Sequence, residues 1–181
     1  MNSSTFCSLF LGLILISQSP LSANARGLGG GLVDELCNSE YIEDKIACHS
    51  ILGSNPEAMK AKNYKQLSKA ILTIGINKAV EGQNFLKGLA ATTKSPALTQ
   101  CANFDYDGVV GSFKSSLGEI KEDTETANYD AGVAHDGPAQ CDRGMEAEHI
   151  VNPQVTALNR QIFLLSQMAS YATDKLSEVT P

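Results

Sequence analysis

Residues 101–141 read CANFDYDGVVGSFKSSLGEIKEDTETANYDAGVAHDGPAQC, and this stretch decides the fold. It opens and closes on cysteine. Between them Ala102, Tyr106, Val109, Phe113, Ser116 and Ile120 recur at spacings of 4-3-4-3-4, with Val110 and Leu117 widening the apolar face. Asn103, Asp107, Lys114 and Lys121 fall on the opposite side, so Ala97–Lys121 reads as an amphipathic helix of a bundle. Glu122-Asp123-Thr124-Glu125 supplies a turn, a cap and acids for a next first turn. A shorter helix over about 125–136, with Ala127, Ala131 and Ala134 inward, is expected to end at Gly137-Pro138. Each cysteine lies about 20 residues from residue 121, roughly 30 Å at the helical rise. Two antiparallel helices would therefore bring Cys101 and Cys141 level at the far end of the hairpin.

The same periodicity continues downstream. Val155, Leu158, Ile162, Leu165, Ala169, Ala172, Leu176 and Val179 repeat at 3-4-3-4-3-4-3 behind an Asn152-Pro153 start, with Arg160, Gln167 and Asp174 facing away. Upstream, Ser54-Asn55-Pro56-Glu57 is a helix-start phrase. It opens a long helical pattern over about 57–91 that carries Leu67, Ile71, Ile74, Ile76, Val80, Leu86 and Leu89. Gly75, Gly82 and Gly88 interrupt that pattern, each weakening a helix by roughly 1 kcal/mol relative to Ala. They favour either close helix packing or a bend. Leu32 to Leu52 reads as short helical pieces. Alternating strand patterns and hairpin turns between β-branched runs are nearly absent. The expected architecture is all-α: a four-helix up-and-down bundle over 55–178, an N-terminal helical hairpin over 37–52, and two disulfides.

Residues 1–25 read as a signal peptide, with the apolar run Phe6–Ile16 and the small-residue triplet Ala23-Asn24-Ala25. RGLGGG at 26–31 begins what reads as a flexible mature N-terminus over 26–36. It is no dinucleotide fingerprint, since the third glycine is missing and no strand precedes it. Cys7 would leave with the signal, taking the cysteine count from five to an even four and matching an oxidising compartment. Cys37 and Cys48 then form a second local pair, giving Cys37–Cys48 and Cys101–Cys141 as the favoured pairing among three possible connectivities. No later run is long enough to span a membrane. The net charge of −6 without a basic cluster argues against nucleic acid and anionic lipid, and is compatible with a basic protein partner.

Catalytic chemistry is hard to find. His49, His135 and His149 are not spaced as a metal knuckle, and Glu146-x-x-His149 occurs once where a di-metal bundle needs it twice. His135-Asp136 reads as a helix-end pair. Gly-x-Ser-x-Gly and phosphate-loop motifs are missing, and no free cysteine remains as a nucleophile. No catalytic residue, metal or cofactor is expected, which points to a binding protein.

From about Cys37 to Leu176 the chain resembles the plant invertase and pectin methylesterase inhibitor family. A close cysteine pair is followed by Leu52-Gly53-Ser54-Asn55-Pro56; the third cysteine, Cys101, is followed by Tyr106, Val109 and Val110. The fourth, Cys141, follows the Ala131–Ala134 helix and Asp136-Gly137-Pro138-Ala139-Gln140, with Asp142 and Met145 after it. The resemblance implies small secreted bundles with first-to-second and third-to-fourth disulfides. This sequence departs from the family at three places. Cys37 to Cys48 encloses neither the usual Thr nor Pro. Gly132 and His135 replace commoner residues. Lys121-Glu122-Asp123-Thr124-Glu125 stands where invertase inhibitors often carry Pro-Lys-Phe.

The resemblance implies a secreted, cell-wall inhibitor of pectin methylesterase that forms a non-covalent 1:1 complex across the substrate cleft. Asp107, Lys114, Lys121, Asp130 and Asp136 on the second and third bundle helices are the expected contact residues. Acid invertase as target, with a vacuolar location open as well, is the second reading. A carrier with an internal cavity and an allergen-like bundle without inhibition are the others.

Overall fold

The structure, a computed structural model, describes residues 30–177. The leader at 1–25 and Val179 lie outside the described residues. The elements are α1 (Gly30–Cys37), α2 (Lys45–Gly53), α3 (Pro56–Met59), α4 (Tyr64–Thr93) and α5 (Pro96–Gln100). A π turn (Cys101–Asp105) leads into α6 (Tyr106–Glu119), followed by α7 (Thr124–Val133), α8 (Asp136–Ala147) and α9 (Pro153–Ser177).

Four helices make the bundle. α4 packs on α6 and α9, and α7 packs on the same two, so the core is a closed square of neighbours in up-and-down order. The predicted stripe of the second bundle helix is buried throughout, from Ala102 and Tyr106 through Ile120. In α9, Val155, Ile162, Leu165, Ala169 and Ala172 are buried, while Leu158 and Leu176 are partly so. α1 and α2 form the N-terminal hairpin, closed by Cys37–Cys48 with Cα atoms 5.6 Å apart. Cys101–Cys141 joins the π turn to α8 with Cα atoms 4.8 Å apart. The loop-closure model assigns about 3 and about 4 kcal/mol to these two crosslinks.

Three expectations are corrected. Residues 30–36 are helical in place of a flexible segment, because Val33 and Leu36 fall one turn apart and are buried against the bundle. The pattern over 57–91 is two helices. Asn55 caps α3, accepting from the Glu57 and Ala58 amides, and Asn63 caps α4, accepting from the Gln66 amide at 3.0 Å. Gln66 reaches back to accept from the Lys62 amide, so the chain stops and restarts at 60–63. Finally, Gly137-Pro138 does not end a helix. These residues occupy the first turn of α8, where helix amides have no intrahelical partner and proline therefore removes nothing.

The close approach that sequence reading left open for the α4 glycines occurs at Gly82. A Cβ there would fall 2.8 Å from a Leu158 methyl and 2.9 Å from the Tyr106 ring.

Candidate functional site

The disulfide-pinned end of the bundle is built first from the π turn. Its extra residue lets the Tyr106 amide donate to the Cys101 carbonyl, five positions back, so Cys101 faces α8 while Tyr106 enters the core. Tyr106 Oη donates to Asn159 Oδ1 of α9 at 2.7 Å, and Asn159 Nδ2 donates to Asp142 Oδ1 of α8 at 2.6 Å. Burial raises the Tyr106 hydroxyl far above its ordinary value, with the Asp142 charge adding to the effect. The hydroxyl is thus a donor at all physiological pH. Glu148, just beyond α8, accepts from Ser95 Oγ at 2.6 Å and from the Ala97 amide at 2.8 Å, tying the start of α5 to the end of α8.

The turn between α6 and α7 is organised by Asp123. Its carboxylate accepts from the Thr126 amide (2.9 Å) and hydroxyl (2.7 Å), and these bonds hold its carboxyl below the usual range. Ser116 Oγ donates to the Ala127 carbonyl and Ser166 Oγ to the Ala131 and Gly132 carbonyls. These clips fix α7 between α6 and α9.

Of the predicted contact residues, Asp107 and Lys114 are on α6, Lys121 in the turn after it, Asp130 on α7 and Asp136 on α8. Asp107, Lys114 and Lys121 are exposed and share one stripe, seven residues apart. Asp107 accepts from Gln83 Nε2 of α4 at 3.4 Å. Asp130 is half-buried on α7. Asp136 is exposed at the start of α8, with Oδ1 3.5 Å from His135 Nε2, while His135 Nδ1 bonds the Gly132 carbonyl. Sequence reading missed two features here. Phe104 and Tyr129 project into solvent at 72% and 68% exposure. Both are apolar residues out of phase with their helix's buried stripe, which is the signal that could have found them. Gly108, Gly111 and Gly118 lie on the same outer side of α6, with nothing within 4 Å of where a Cβ would be. The face is therefore low in relief beside an exposed aromatic ring.

His149 has φ 54° and sits just past the end of α8. Its amide donates to the Glu146 carbonyl and that of Ile150 to the Met145 carbonyl, a Schellman closure. Glu146-x-x-His149 is thus a helix terminus. Among the described residues, no three His, Cys, Asp or Glu side chains are grouped so as to hold a metal ion, and no helix is long and apolar enough to cross a membrane.

A family model described as plant invertase/pectin methylesterase inhibitor matches residues 31–174. The chain belongs to this family. Two solved structures share the fold. A mutant form A of a pectin methylesterase inhibitor from Arabidopsis superposes at TM-score 0.68 and 17% identity, over 78% of this chain and 95% of that one. A pectin methylesterase inhibitor from Arabidopsis thaliana superposes at 0.59 and 17%, over 81% and 96%. Among curated proteins none matches the chain by sequence. The family's helical bundle and both of its disulfides, first to second and third to fourth, are present in this inhibitor-family protein.

Proposed function

We propose that this family member is a secreted inhibitor of pectin methylesterase, carrying the leader at 1–25 and acting outside the cell. It binds the enzyme non-covalently and 1:1, laying the outer face of α6 and α7 across the substrate cleft. The observation that carries this reading is the family match over 31–174. The geometry supports it in two ways. The candidate face is polar and low in relief, with the exposed Phe104 ring at one end and Asp107, Lys114 and Lys121 following it along α6 and into the turn beyond, the combination of aromatic and charged side chains that protein interfaces use. The face is also preorganised by crosslinks, caps and buried hydrogen bonds, so little ordering entropy opposes docking. Asp130 and Asp136 join the surface as rim contacts. A carrier function is disfavoured by the filled bundle axis, where Tyr106, Phe113, Ile71 and Leu86 are wholly buried.

The test is a titration of the oxidised mature chain, residues 26–181, against a plant pectin methylesterase and a plant acid invertase at mildly acidic pH. Stoichiometric loss of esterase activity with invertase untouched is expected, and Phe104→Ala should weaken inhibition at least tenfold. Inhibition of invertase alone would move the target, and no effect on either enzyme would sink the proposal.

A further inference from the structure

The strongest unexplained feature of the molecule is Asp105. It closes the π turn and is only 5% exposed. Its Oδ1 accepts a single long bond from Gln100 Nε2, at 3.3 Å, and its Oδ2 has no hydrogen-bond partner. An ionised carboxylate wants several donors, and burying one without them is costly. The carbonyl of the same residue is pressed by α8. A Cβ on Gly137 would lie 2.5 Å from it, so α8 packs directly on the backbone of the turn that carries the carboxylate.

We propose that the Asp105 carboxyl makes the disulfide-pinned end of the bundle acid-responsive: firm when the carboxyl is protonated and loosened when it ionises. The groups around it support this. Arg143 of α8 is, among the described residues, the charged side chain whose field acts on Asp105, and it favours the ionised form. Gln100 of α5 does the same through its hydrogen bond. Asp107 on α6 is exposed and bonded to Gln83 of α4, on the far side of the helix. Burial outweighs both favourable terms and holds the carboxyl above its ordinary value of 3.8.

The sign follows from linkage. The folded state binds this proton more tightly than the unfolded state, so the contribution to stability is complete below the ordinary carboxylate value. It is lost as pH rises through the folded value. The elements meeting at the turn are α4, α5, the start of α6 and α8, and their contacts with it are what would loosen. Phe104 and Asn103 ride on the same turn, so any effect on a bound partner rests on the inhibitor reading, whereas the stability effect does not.

The test compares the oxidised mature chain with Asp105→Asn, which keeps an acceptor for Gln100 and removes the charge. Denaturant midpoints are measured from pH 3.5 to 7.5. The stability difference between the two proteins should be level only at the acid end, where the parent carboxyl is protonated. As pH rises, the unfolding constant of the parent should grow relative to the variant by up to tenfold per pH unit within the window. Every other residue is common to both proteins, so the difference between the two curves isolates position 105. Parallel curves, or a constant offset at all pH, would overturn the proposal. Should Asp105→Asn not fold, the parent itself decides: the carboxyl carbon of Asp105, followed by NMR, must titrate above the ordinary range, with faster amide exchange at 101–106 on the alkaline side. A midpoint at or below the ordinary value overturns the idea.

Discussion

The two crosslinks tie down regions that are held in different ways. Around Cys101–Cys141, α5, α6, α8 and α9 converge. The contacts include a tyrosine–asparagine–aspartate relay, a glutamate clamped on the next helix start, and a glycine set against backbone. Around Cys37–Cys48, the hairpin meets the bundle through α1, buried at Val33 and Leu36, and through Tyr41, whose ring lies 5.8 Å from that of Tyr171. Ile42 of the connecting loop and Leu52 of α2 are buried as well, but the outer side of α2 is open. Ile46 of α2 is 85% exposed, and an open groove lined by Ala47, Ile51, Phe163 and Leu164 separates α2 from α9. One disulfide reinforces an end that is already packed; the other holds together a hairpin that has little else on one side.

Removing each crosslink is the strongest way to break this comparison. Cys101→Ser with Cys141→Ser should lower global stability by about 4 kcal/mol, a large part of a typical domain's ~5–15 kcal/mol. Amide exchange should rise across α5 to α8 and with it the whole bundle. Cys37→Ser with Cys48→Ser, at about 3 kcal/mol by loop length, should open the hairpin locally while amides in α6 and α9 keep most of their protection. Equal loss of bundle protection in the two double variants would show that the hairpin is as integral as the far end.

A smaller effect sharpens what holds the packed end. Gly137→Ala would place a methyl 2.4 Å from a Val109 methyl and 2.5 Å from the Asp105 carbonyl. Helix propensity favours alanine by about 1 kcal/mol. The clash is against backbone, so overpacking should win and leave a net loss of about 2 kcal/mol in urea denaturation. Gly88→Ala in α4, with nothing within 4 Å, is the control and should gain up to about 1 kcal/mol. A stabilising Gly137→Ala would mean that α8 can move away from the π turn and that this end is looser than its contacts imply.

This glycine also shows where sequence reading reached its limit. The stripes of α6 and α9 were legible because a 3.6-residue period, sustained over several turns, leaves one solution for which face is inside. For the same reason Asp107, Lys114 and Lys121 could be placed on the solvent side. Gly137-Pro138 was misread because breakers and starters are the same residues. Proline is forbidden inside a helix and harmless in its first turn, and the glycine is there for a tertiary contact about 30 residues away in sequence, at Asp105 and Val109. The π turn leaves no sequence trace at all, since one added residue hides within a continuous apolar pattern. Phe104 and Tyr129 were visible only as out-of-phase residues, which the search for an inward stripe discards.

The smallest effect tests the junction that closes the packed end. His149 holds a left-handed backbone at φ 54° so that the Ile150 amide can donate to the Met145 carbonyl at 2.8 Å. A residue with a Cβ pays roughly 1 kcal/mol for that conformation, and glycine does not. His149→Gly also widens the unfolded ensemble, which offsets part of the gain. The net should be a stabilisation of about 0.5 kcal/mol, read as a small rise in urea midpoint with an unchanged slope. The imidazole is exposed, so no packing is lost with it. A destabilised His149→Gly would mean that the ring, and not the backbone hydrogen bonds, secures the end of α8. The clamp that Glu148 makes one residue earlier on Ser95 and Ala97 would then have to be credited to the side chain beside it.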